Sequence, residues 1–323
     1  MSGAADRRIR LTILGGFLGA GKTTWLRHHL HHGLLRDALV IVNEAAEIPV
    51  DKALLAHASR LSVLAGGCAC CNGRAALVHL LREICAARVG SDAPPAPLDH
   101  IVLETSGLAD PGPIVETIRT DPMLVHHIKV TEIVVAVDAL HGLDQLRREP
   151  LNRPQIETAD RLVVTKLDRA SRSGLGRLLA TLRVLNPGAA LVGAIMGSPA
   201  DLPDAAGELP EALPDASGSA GNPIRAVQLE LPLSVDWTAF TVWLSALLHA
   251  RGDDVIRVKG VMRTPAGRLL LQSVRQIVQQ PEILPEPHGD DAPHDNLVAI
   301  IGRGFEAAML QRSLRVFVGL APR

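Results

Sequence analysis

The sequence predicts an α/β protein in which a doubly wound, mostly parallel sheet is followed by a smaller α+β domain. Short aliphatic segments alternate with helical segments from Ile9 to Met196, which is the pattern of parallel strands joined by crossover helices. Residues 197–222 are rich in Pro, Gly, Ala and Ser, and a new pattern of strands and helices begins at Ile224. The chain of 323 residues is long enough for two packed cores, because 47% of it is hydrophobic.

The periodicity of apolar residues predicts individual elements in each domain. In the first domain we expect strands at Ile9–Leu14, Leu39–Val42, Leu61–Leu64, Ile101–Leu103, Ile133–Val137 and Arg161–Val164, and helices at Thr24–Leu35 and Ala75–Arg88. In the second we expect strands at Ile224–Leu231, Val255–Arg263, Leu269–Gln279 and Leu297–Gly302, and helices at Ser234–Arg251 and Phe305–Leu314.

Composition and charge exclude several classes of protein. The formal net charge is −1 and aromatic residues make up 2% of the chain, so neither a basic face nor stacking platforms for nucleic acid are expected. Charged residues, Gly or Pro interrupt every apolar run before it reaches the length of a membrane span. Near the N-terminus, three arginines precede an apolar stretch, but Lys22 and Thr23 follow where a signal peptide would have its cleavage site. We therefore expect a cytoplasmic protein without nucleic-acid or membrane partners.

The segment GFLGAGKT, from Gly16 to Thr23, matches the phosphate-loop pattern GxxxxGK[ST] at every fixed position. It lies between a predicted strand and a predicted helix, as that loop requires. Its backbone N–H groups can surround a phosphate, Lys22 can reach the outer phosphates, and the Thr23 hydroxyl can ligate Mg²⁺. The sequence therefore predicts a nucleoside triphosphate site, whose loop residues are Gly16, Gly19, Ala20, Gly21, Lys22, Thr23 and Thr24.

Two further segments follow predicted strands and complete a nucleotide site. Glu104 ends one strand and Gly107 lies three residues later, so the carboxylate can hold Mg²⁺ or its water and the Gly107 N–H can contact a γ-phosphate. Thr165-Lys166-Leu167-Asp168 ends another strand and is close to the NKxD signature of guanine-specific GTPases. In that signature the lysine stem packs over the base and the aspartate accepts hydrogen bonds from the guanine edge. We thus expect Lys22, Thr23 and Glu104 to act on the phosphates, and Thr165, Lys166 and Asp168 to bind guanine.

A cysteine cluster, Gly66-Gly67-Cys68-Ala69-Cys70-Cys71, directly follows a third predicted strand. In an extended backbone Cys68 and Cys70 point to the same side, so their thiolates can chelate one transition metal, with Cys71 or a carboxylate completing the site. Structural or redox-active thiols are the alternative interpretation. Three of the four cysteines lie within this segment, which is a poor disulfide framework and fits a reducing cytosol.

Two other segments carry residues that bind cations in many proteins. The loop Asn43–Asp51 contains three carboxylates, including Glu47, which suits a cation or a switch segment. In the first helix, His28, His31 and His32 share a face, which permits a metal patch but more simply indicates a solvated helix surface.

These segments predict four regions: a disordered N-terminus at residues 1–8, a phosphate-loop GTPase domain with the CxCC motif at 9–200, a linker at 201–222, and an α+β C-terminal domain at 223–323.

The combination GGFLGAGKTT, NEAAEIPVD, GGCACC, ETSGLADPGPI, TKLD and DDVIRVKGV resembles the CobW-like metallochaperone GTPases over nearly the whole chain. The resemblance implies that Cys68, Cys70 and Cys71 bind a transition metal, often zinc, in a way coupled to GTP. It also implies that Glu104 lies in the region of Mg²⁺ and the γ-phosphate, and that the second domain recognises a client metalloprotein. Two departures from the family pattern are Ala45-Ala46 where NEFGE is common, and Thr165 where Asn is usual.

The leading hypothesis is a GTPase that uses GTP binding and hydrolysis to load a divalent metal at the CxCC motif or release it to a client. Its cofactors would be GTP, Mg²⁺ and Zn²⁺ or another divalent transition metal. Without an identifiable Gln or Arg finger, intrinsic turnover should be well below about one per second. The alternative is a nucleotide-dependent switch or insertion chaperone whose thiols are structural or redox-active. A third possibility, an ATP-using kinase, is disfavoured by Asp168, which fits guanine. The sequence leaves the oligomeric state open, and a homo-oligomer is compatible with it.

Overall fold

The computed structural model describes residues 6–42, 60–63, 73–89, 98–107, 109–149, 153–205, 207–213, 224–231, 237–274, 276–278, 280–284, 286 and 295–317. The chain divides into two compact units, one made of Met1–Arg183 and Ala189–Ala216 and the other of Val184–Gly188 and Ser217–Arg323. None of the helices in these described ranges is long and apolar enough to cross a membrane.

The first unit is a parallel sheet with crossover helices. Its strands are β1 Ile9–Gly16, β2 Leu39–Val42, β3 Arg60–Val63, β4 His100–Glu104, β5 Ile128–Asp138, β6 Arg161–Thr165, β7 Ala190–Ile195 and β8 Ser198–Ala200. Its helices are α1 Lys22–His31, α2 Arg74–Val89, α3 Pro111–Thr120, α4 Leu124–His127, α5 Gly142–Arg148, α6 Arg153–Thr158 and α7 Arg172–Leu185, with a 3₁₀ turn at Leu167–Arg169.

The strand order explains where a ligand can bind. The order is β3-β2-β4-β1-β5-β6-β7-β8, and every pair is parallel except β7 with β8. Seven of the eight β1 residues are buried, as expected for a central strand whose two faces are covered by helices. Chain order reverses on either side of β1, so the carboxyl ends of β1, β4 and β5 border the crevice where such folds bind ligands. The predicted doubly wound sheet is confirmed.

The second unit is an antiparallel sheet that packs against two helices. Its strands are β9 Ile224–Glu230, β10 Val255–Thr264, β11 Gly267–Val274, β12 Ile277–Val278, β13 Glu282–Leu284 and β14 Leu297–Arg303, and its helices are α8 Trp237–Arg251 and α9 Ala307–Phe317. The strand order is β12-β11-β10-β14-β9, with β13 paired to β11. Val227 and Leu229 of β9 are buried with Phe240 of α8 and Leu314 of α9 in one apolar cluster, which accounts for the one-sided burial of that strand. The predicted α+β domain is confirmed.

The first helix is shorter than the sequence predicts. We expected Thr24–Leu35, but α1 ends at His31. Gly33 has a φ of 73°, and the N–H groups of Gly33 and Leu34 turn back to the Leu30 and His29 carbonyls. A glycine in the left-handed region is a common helix terminator, so the apolar pattern beyond it belongs to a turn.

Two hairpins account for other differences from the predicted elements. Met196 and Gly197 have φ values of 49° and 91° and join Ile195 to Ser198 in a two-residue turn, so a strand follows Met196 where a linker was expected. The expected strand Leu269–Gln279 is divided, because β12 turns back and pairs with the end of β11. The second turn interrupts an apolar pattern that looks continuous in the sequence.

Candidate functional site

The phosphate loop joins β1 to α1 at the carboxyl edge of the first sheet. Gly16, Gly19 and Gly21 have φ values of 136°, 75° and 87°, which side-chain-bearing residues rarely adopt. A Cβ on Gly16 would lie 2.5 Å from the Ala136 carbonyl oxygen of β5, whereas a Cβ on Gly19 would meet nothing within 4 Å. The loop is therefore packed tightly at Gly16 and open around Gly19.

Lys22 is buried at the start of α1 and faces the loop. Its Nζ donates to the carbonyl oxygens of Gly16 and Phe17 at 2.9 and 3.1 Å. These contacts place one positive charge inside a ring of backbone groups, and an ammonium in this position can act on phosphate oxygens as a point charge. Thr24, the remaining loop residue predicted from sequence, is the third residue of α1.

Thr23 and Glu104 meet across two adjacent strands. Glu104 ends β4, its side chain is buried, and its position is opposite Leu14 of β1. The Thr23 hydroxyl donates to Glu104 Oε1 at 2.8 Å. A hydroxyl oxygen beside a buried carboxylate is a donor set that Mg²⁺ prefers, so these two residues fit the predicted ion.

Gly107 lies directly against the apex of the phosphate loop. A Cβ on Gly107 would lie 2.6 Å from the Leu18 backbone nitrogen and 2.9 Å from the Leu18 Cα, so only glycine allows this approach. Leu18 and Gly107, which are 89 residues apart in sequence, are thus in close backbone contact.

Gln155, which sequence reasoning missed, joins these two segments from α6. It is completely buried; its Oε1 accepts the Gly16 N–H at 2.9 Å and its Nε2 donates to the Gly107 carbonyl at 3.1 Å. One side chain therefore links the base of the phosphate loop to the loop after Glu104. The sequence carried no signal for this role beyond a glutamine in a short helix before β6.

We predict that Gln155→Met destabilises the first unit and loosens the Gly107 segment. Methionine fills a similar volume but leaves a buried donor and a buried acceptor unpaired, which should lower the free energy of unfolding by about 2 kcal/mol or more. Denaturant titration measures that loss, and amide hydrogen exchange at residues 104–107 should accelerate. Gln272→Met, at a buried glutamine of the second unit, is the control. Unchanged exchange in Gln155→Met would show that Gln155 does not hold the segment.

The Thr165–Asp168 segment is connected to the phosphate loop by two side chains. The Thr165 hydroxyl lies 2.8 Å from the Ala20 carbonyl oxygen and donates to it, and Lys166 Nζ donates to the Gly19 carbonyl at 2.7 Å. Asp168 follows in the 3₁₀ turn with its side chain 43% exposed, close enough to Arg169 for an ion pair of 3.8 Å. Thr165 therefore reaches the loop with a hydroxyl at the position where the signature usually has Asn.

Asp138, at the end of β5, is a second residue that sequence reasoning missed. Its side chain is 2% exposed, and its Oδ2 accepts a hydrogen bond from Lys166 Nζ at 2.6 Å. Burial alone would raise the pKa of this carboxyl, but hydrogen bonds from Lys166, the Leu140 N–H and His141 outweigh burial and lower the pKa below its ordinary value. Asp138 is thus a carboxylate at neutral pH.

The predicted metal ligands Cys68, Cys70, Cys71 and Glu47 lie outside the described residues. The described strands show where their segments leave the sheet. Val42, at the end of β2, is paired with both Val63 of β3 and Glu104 of β4. Since neighbouring strands are about 4.8 Å apart, strands β2, β3 and β4 end at the same edge of the sheet, within about 10 Å of one another.

The histidines of α1 are not arranged as a three-ligand metal site. Within the part of the chain that the structure describes, no group of three or more His, Cys, Asp or Glu side chains is arranged to hold an ion. The His28 and His32 rings are 4.0 Å apart, and desolvation lowers the pKa of His28, with neighbouring His32 and His31 adding to the effect.

Two family models match successive parts of this chain. The model of the CobW/HypB/UreG nucleotide-binding domain matches residues 10–193, and that of the cobalamin synthesis protein CobW C-terminal domain matches residues 224–318. The chain belongs to the CobW/HypB/UreG family. This confirms the family that the ordered motifs indicated.

Relatives within the CobW/HypB/UreG family match both units. The zinc chaperone YjiA of Escherichia coli strain K12 is 29% identical, with 90% of this chain and 93% of YjiA covered. The zinc chaperone CobW of Pseudomonas aeruginosa is also 29% identical, with 95% and 91% covered. A crystal structure of the Zn(II)-bound YjiA GTPase from E. coli aligns with a TM-score of 0.60 at 23% identity, covering 98% of this chain and 99% of that one. The last similarity shows a shared fold.

Proposed function

We propose that this protein is a GTP-hydrolysing metallochaperone that binds a divalent transition metal, most simply zinc, and delivers it to a client protein. The observation that carries the proposal is the convergence of three nucleotide motifs on one sheet edge. Lys22 lies inside the phosphate loop, Thr23 meets Glu104, and Lys166 contacts Gly19. The names of YjiA and CobW as zinc chaperones support the metal assignment.

Each residue of this edge has a distinct role in the proposed reaction. The phosphate-loop N–H groups and Lys22 bind the phosphates, and the Gly107 N–H contacts the γ-phosphate. Thr23 and Glu104 would hold Mg²⁺, which neutralises phosphate charge when bound. The buried Gln155 keeps the Gly107 segment against the loop, so that the γ-phosphate contact is preorganised.

The metal cargo would be held by Cys68, Cys70 and Cys71, with Glu47 as a further ligand. Thiolates are suitable ligands for zinc, and they require a reducing compartment such as the cytosol. Strand β3, which precedes the cysteine segment in the chain, ends at Val63 in register with Val42 and Glu104. This register supports the proposal that metal and nucleotide influence the same loops. The second domain would recognise the client metalloprotein.

The base assignment is tested with Asp168→Asn. If Asp168 accepts hydrogen bonds from the guanine edge, wild-type protein should bind GTP more tightly than ATP by about 5- to 150-fold, equivalent to about 1–3 kcal/mol. The variant should lose GTP affinity and gain affinity for xanthosine triphosphate, whose edge offers an acceptor to the new amide. Competition against a fluorescent GDP analogue measures all three affinities.

Asp201→Asn is the matched control, because Asp201 is an exposed aspartate after β8. It should leave every nucleotide affinity unchanged. Equal GTP and ATP affinities in the wild-type protein would exclude the guanine assignment.

A further inference from the structure

Asp138 is a buried carboxylate whose two oxygens have separate partners. Oδ1 accepts the Leu140 N–H at 2.8 Å, which fixes the turn that leads from β5 into α5. Oδ2 accepts from Lys166 Nζ at 2.6 Å and lies 3.1 Å from His141 Nδ1. Because both oxygens are held, the carboxylate plane cannot rotate without breaking a contact.

Lys166 is held at both its backbone and its ammonium group. Its φ of 58° is uncommon for a residue with a side chain, and it directly precedes the 3₁₀ turn that carries Asp168. Its Nζ donates to Asp138 and to the Gly19 carbonyl at 2.6 and 2.7 Å. A free lysine side chain samples many rotamers, so two fixed acceptors select one path for its stem.

We propose that Asp138 is a positioning residue for guanine recognition, which acts by fixing Lys166 and, through it, the turn that presents Asp168. The proposal rests on the guanine specificity proposed above. Asp168 is 43% exposed, so its orientation depends on the backbone of that turn. Asp138 lies on the neighbouring strand, since β5 and β6 pair through Asp138 and Thr165, and its contact restrains Lys166, two residues before Asp168.

Asp138 could also serve only to cap the start of α5, and the Asn variant separates the two roles. Asp138→Asn keeps an oxygen for the Leu140 N–H and nearly the same volume, but it loses the charge that holds the Lys166 ammonium. A capping residue would tolerate this change, because Asn and Asp cap turns about equally well. A positioning residue would not tolerate this change, because the neutral amide no longer holds the Lys166 ammonium.

The experiment measures GTP and ATP affinities of the full chain by competition against a fluorescent GDP analogue. We expect Asp138→Asn to lower the GTP-to-ATP affinity ratio about tenfold, because a charge-assisted hydrogen bond is lost. Lys166→Met should lower the ratio by a similar factor. The double variant should show no further loss, because Asp138 acts through Lys166.

Asp121→Asn is the matched control. Asp121 is also buried, accepts the Leu124 N–H at the start of α4, and pairs with Arg82 Nη2 at 2.7 Å. It should leave the GTP-to-ATP ratio unchanged. Thermal unfolding with and without GDP checks that each variant is folded. Asp138→Glu, which keeps the charge, should retain more of the preference than Asp138→Asn, and Lys166→Met tests the same contact if Asp138→Asn does not fold.

Three outcomes overturn the proposal in distinguishable ways. A wild-type protein without GTP preference removes the guanine assignment itself. A wild-type preference that survives in folded Asp138→Asn and Lys166→Met removes only the positioning role. Additive losses in the double variant would show that Asp138 does not act through Lys166.

Discussion

Lys22→Met should bind GTP and GDP at least about 100-fold more weakly than the wild-type protein. Lys22 is the buried cation of the phosphate loop, and its ammonium already lies within 2.9 and 3.1 Å of two loop carbonyls. Each hydrogen bond from a charged donor is worth about 1.5–3 kcal/mol, so loss of two to the phosphates accounts for the expected factor. Titration with a fluorescent GDP analogue measures the affinity, and GTP hydrolysis should fall below detection.

Methionine retains the length and apolar packing of the Lys22 stem, so the variant tests the charge. The control is Lys259→Met, at an exposed lysine of β10 in the second unit, which should bind nucleotide as the wild type does. Thermal unfolding without nucleotide reports on the fold of each variant. An affinity within about fivefold of wild type would contradict the role of Lys22 at the phosphates.

The parts of the site that the sequence predicted are those whose chemistry is contained in a short segment. The phosphate loop is such a segment, because its conformation depends on residues that are close in sequence. Its glycines adopt the positive φ values of the loop, and Lys22 follows them at a fixed spacing. Glu104 and Thr165 each end an aliphatic run, so their place at the carboxyl edge followed from the parallel sheet.

The residues that the sequence did not predict act across long separations. Gln155 is 139 residues from Gly16, and Asp138 is 28 residues from Lys166; no periodicity relates either pair. The role of Asp138 follows from strand order, which places β5 beside β6, whereas Gln155 lies on α6, the helix that leads from this part of the chain into β6. The end of α1 was mispredicted for a local reason, since the apolar pattern continued past a glycine that terminates the helix.

The second large effect is expected at the cysteine cluster, Cys68–Cys71. We expect Cys68→Ser/Cys70→Ser to abolish tight zinc binding, because a serine hydroxyl stays protonated at neutral pH and is a poor substitute for a thiolate ligand. GTP affinity in the absence of metal should be nearly unchanged. Cys71 should matter less, because neighbouring residues in an extended chain point to opposite sides.

Cys85→Ala provides the matched control for this substitution. Cys85 lies on α2 and is 1% exposed, and burial raises the pKa of its thiol to about 11, so it stays a neutral thiol at physiological pH. Its replacement should leave zinc affinity unchanged. If the thiols were structural or redox-active and the protein only a nucleotide switch, removing metal from the wild-type protein would leave its client interaction intact.

The central claim is that metal and GTP bias the same loops at one edge of the sheet. The paired ends of β2, β3 and β4 support it, because the strands that precede the Glu47 and cysteine segments end at Val42 and Val63, in register with Glu104. Linkage then requires reciprocity: the factor by which GTP changes zinc affinity must equal the factor by which zinc changes GTP affinity. Such couplings are typically about 1–3 kcal/mol.

The most direct measurement is a zinc titration of the reduced, full-length protein against a chromogenic chelator, without nucleotide, with GDP, and with a non-hydrolysable GTP analogue. The account predicts that the analogue changes zinc affinity by about 5- to 150-fold and that Cys68→Ser/Cys70→Ser erases both the tight site and the nucleotide dependence. Wild-type zinc affinity that is the same in all three conditions, or a double variant that binds zinc as tightly as wild type, would contradict it.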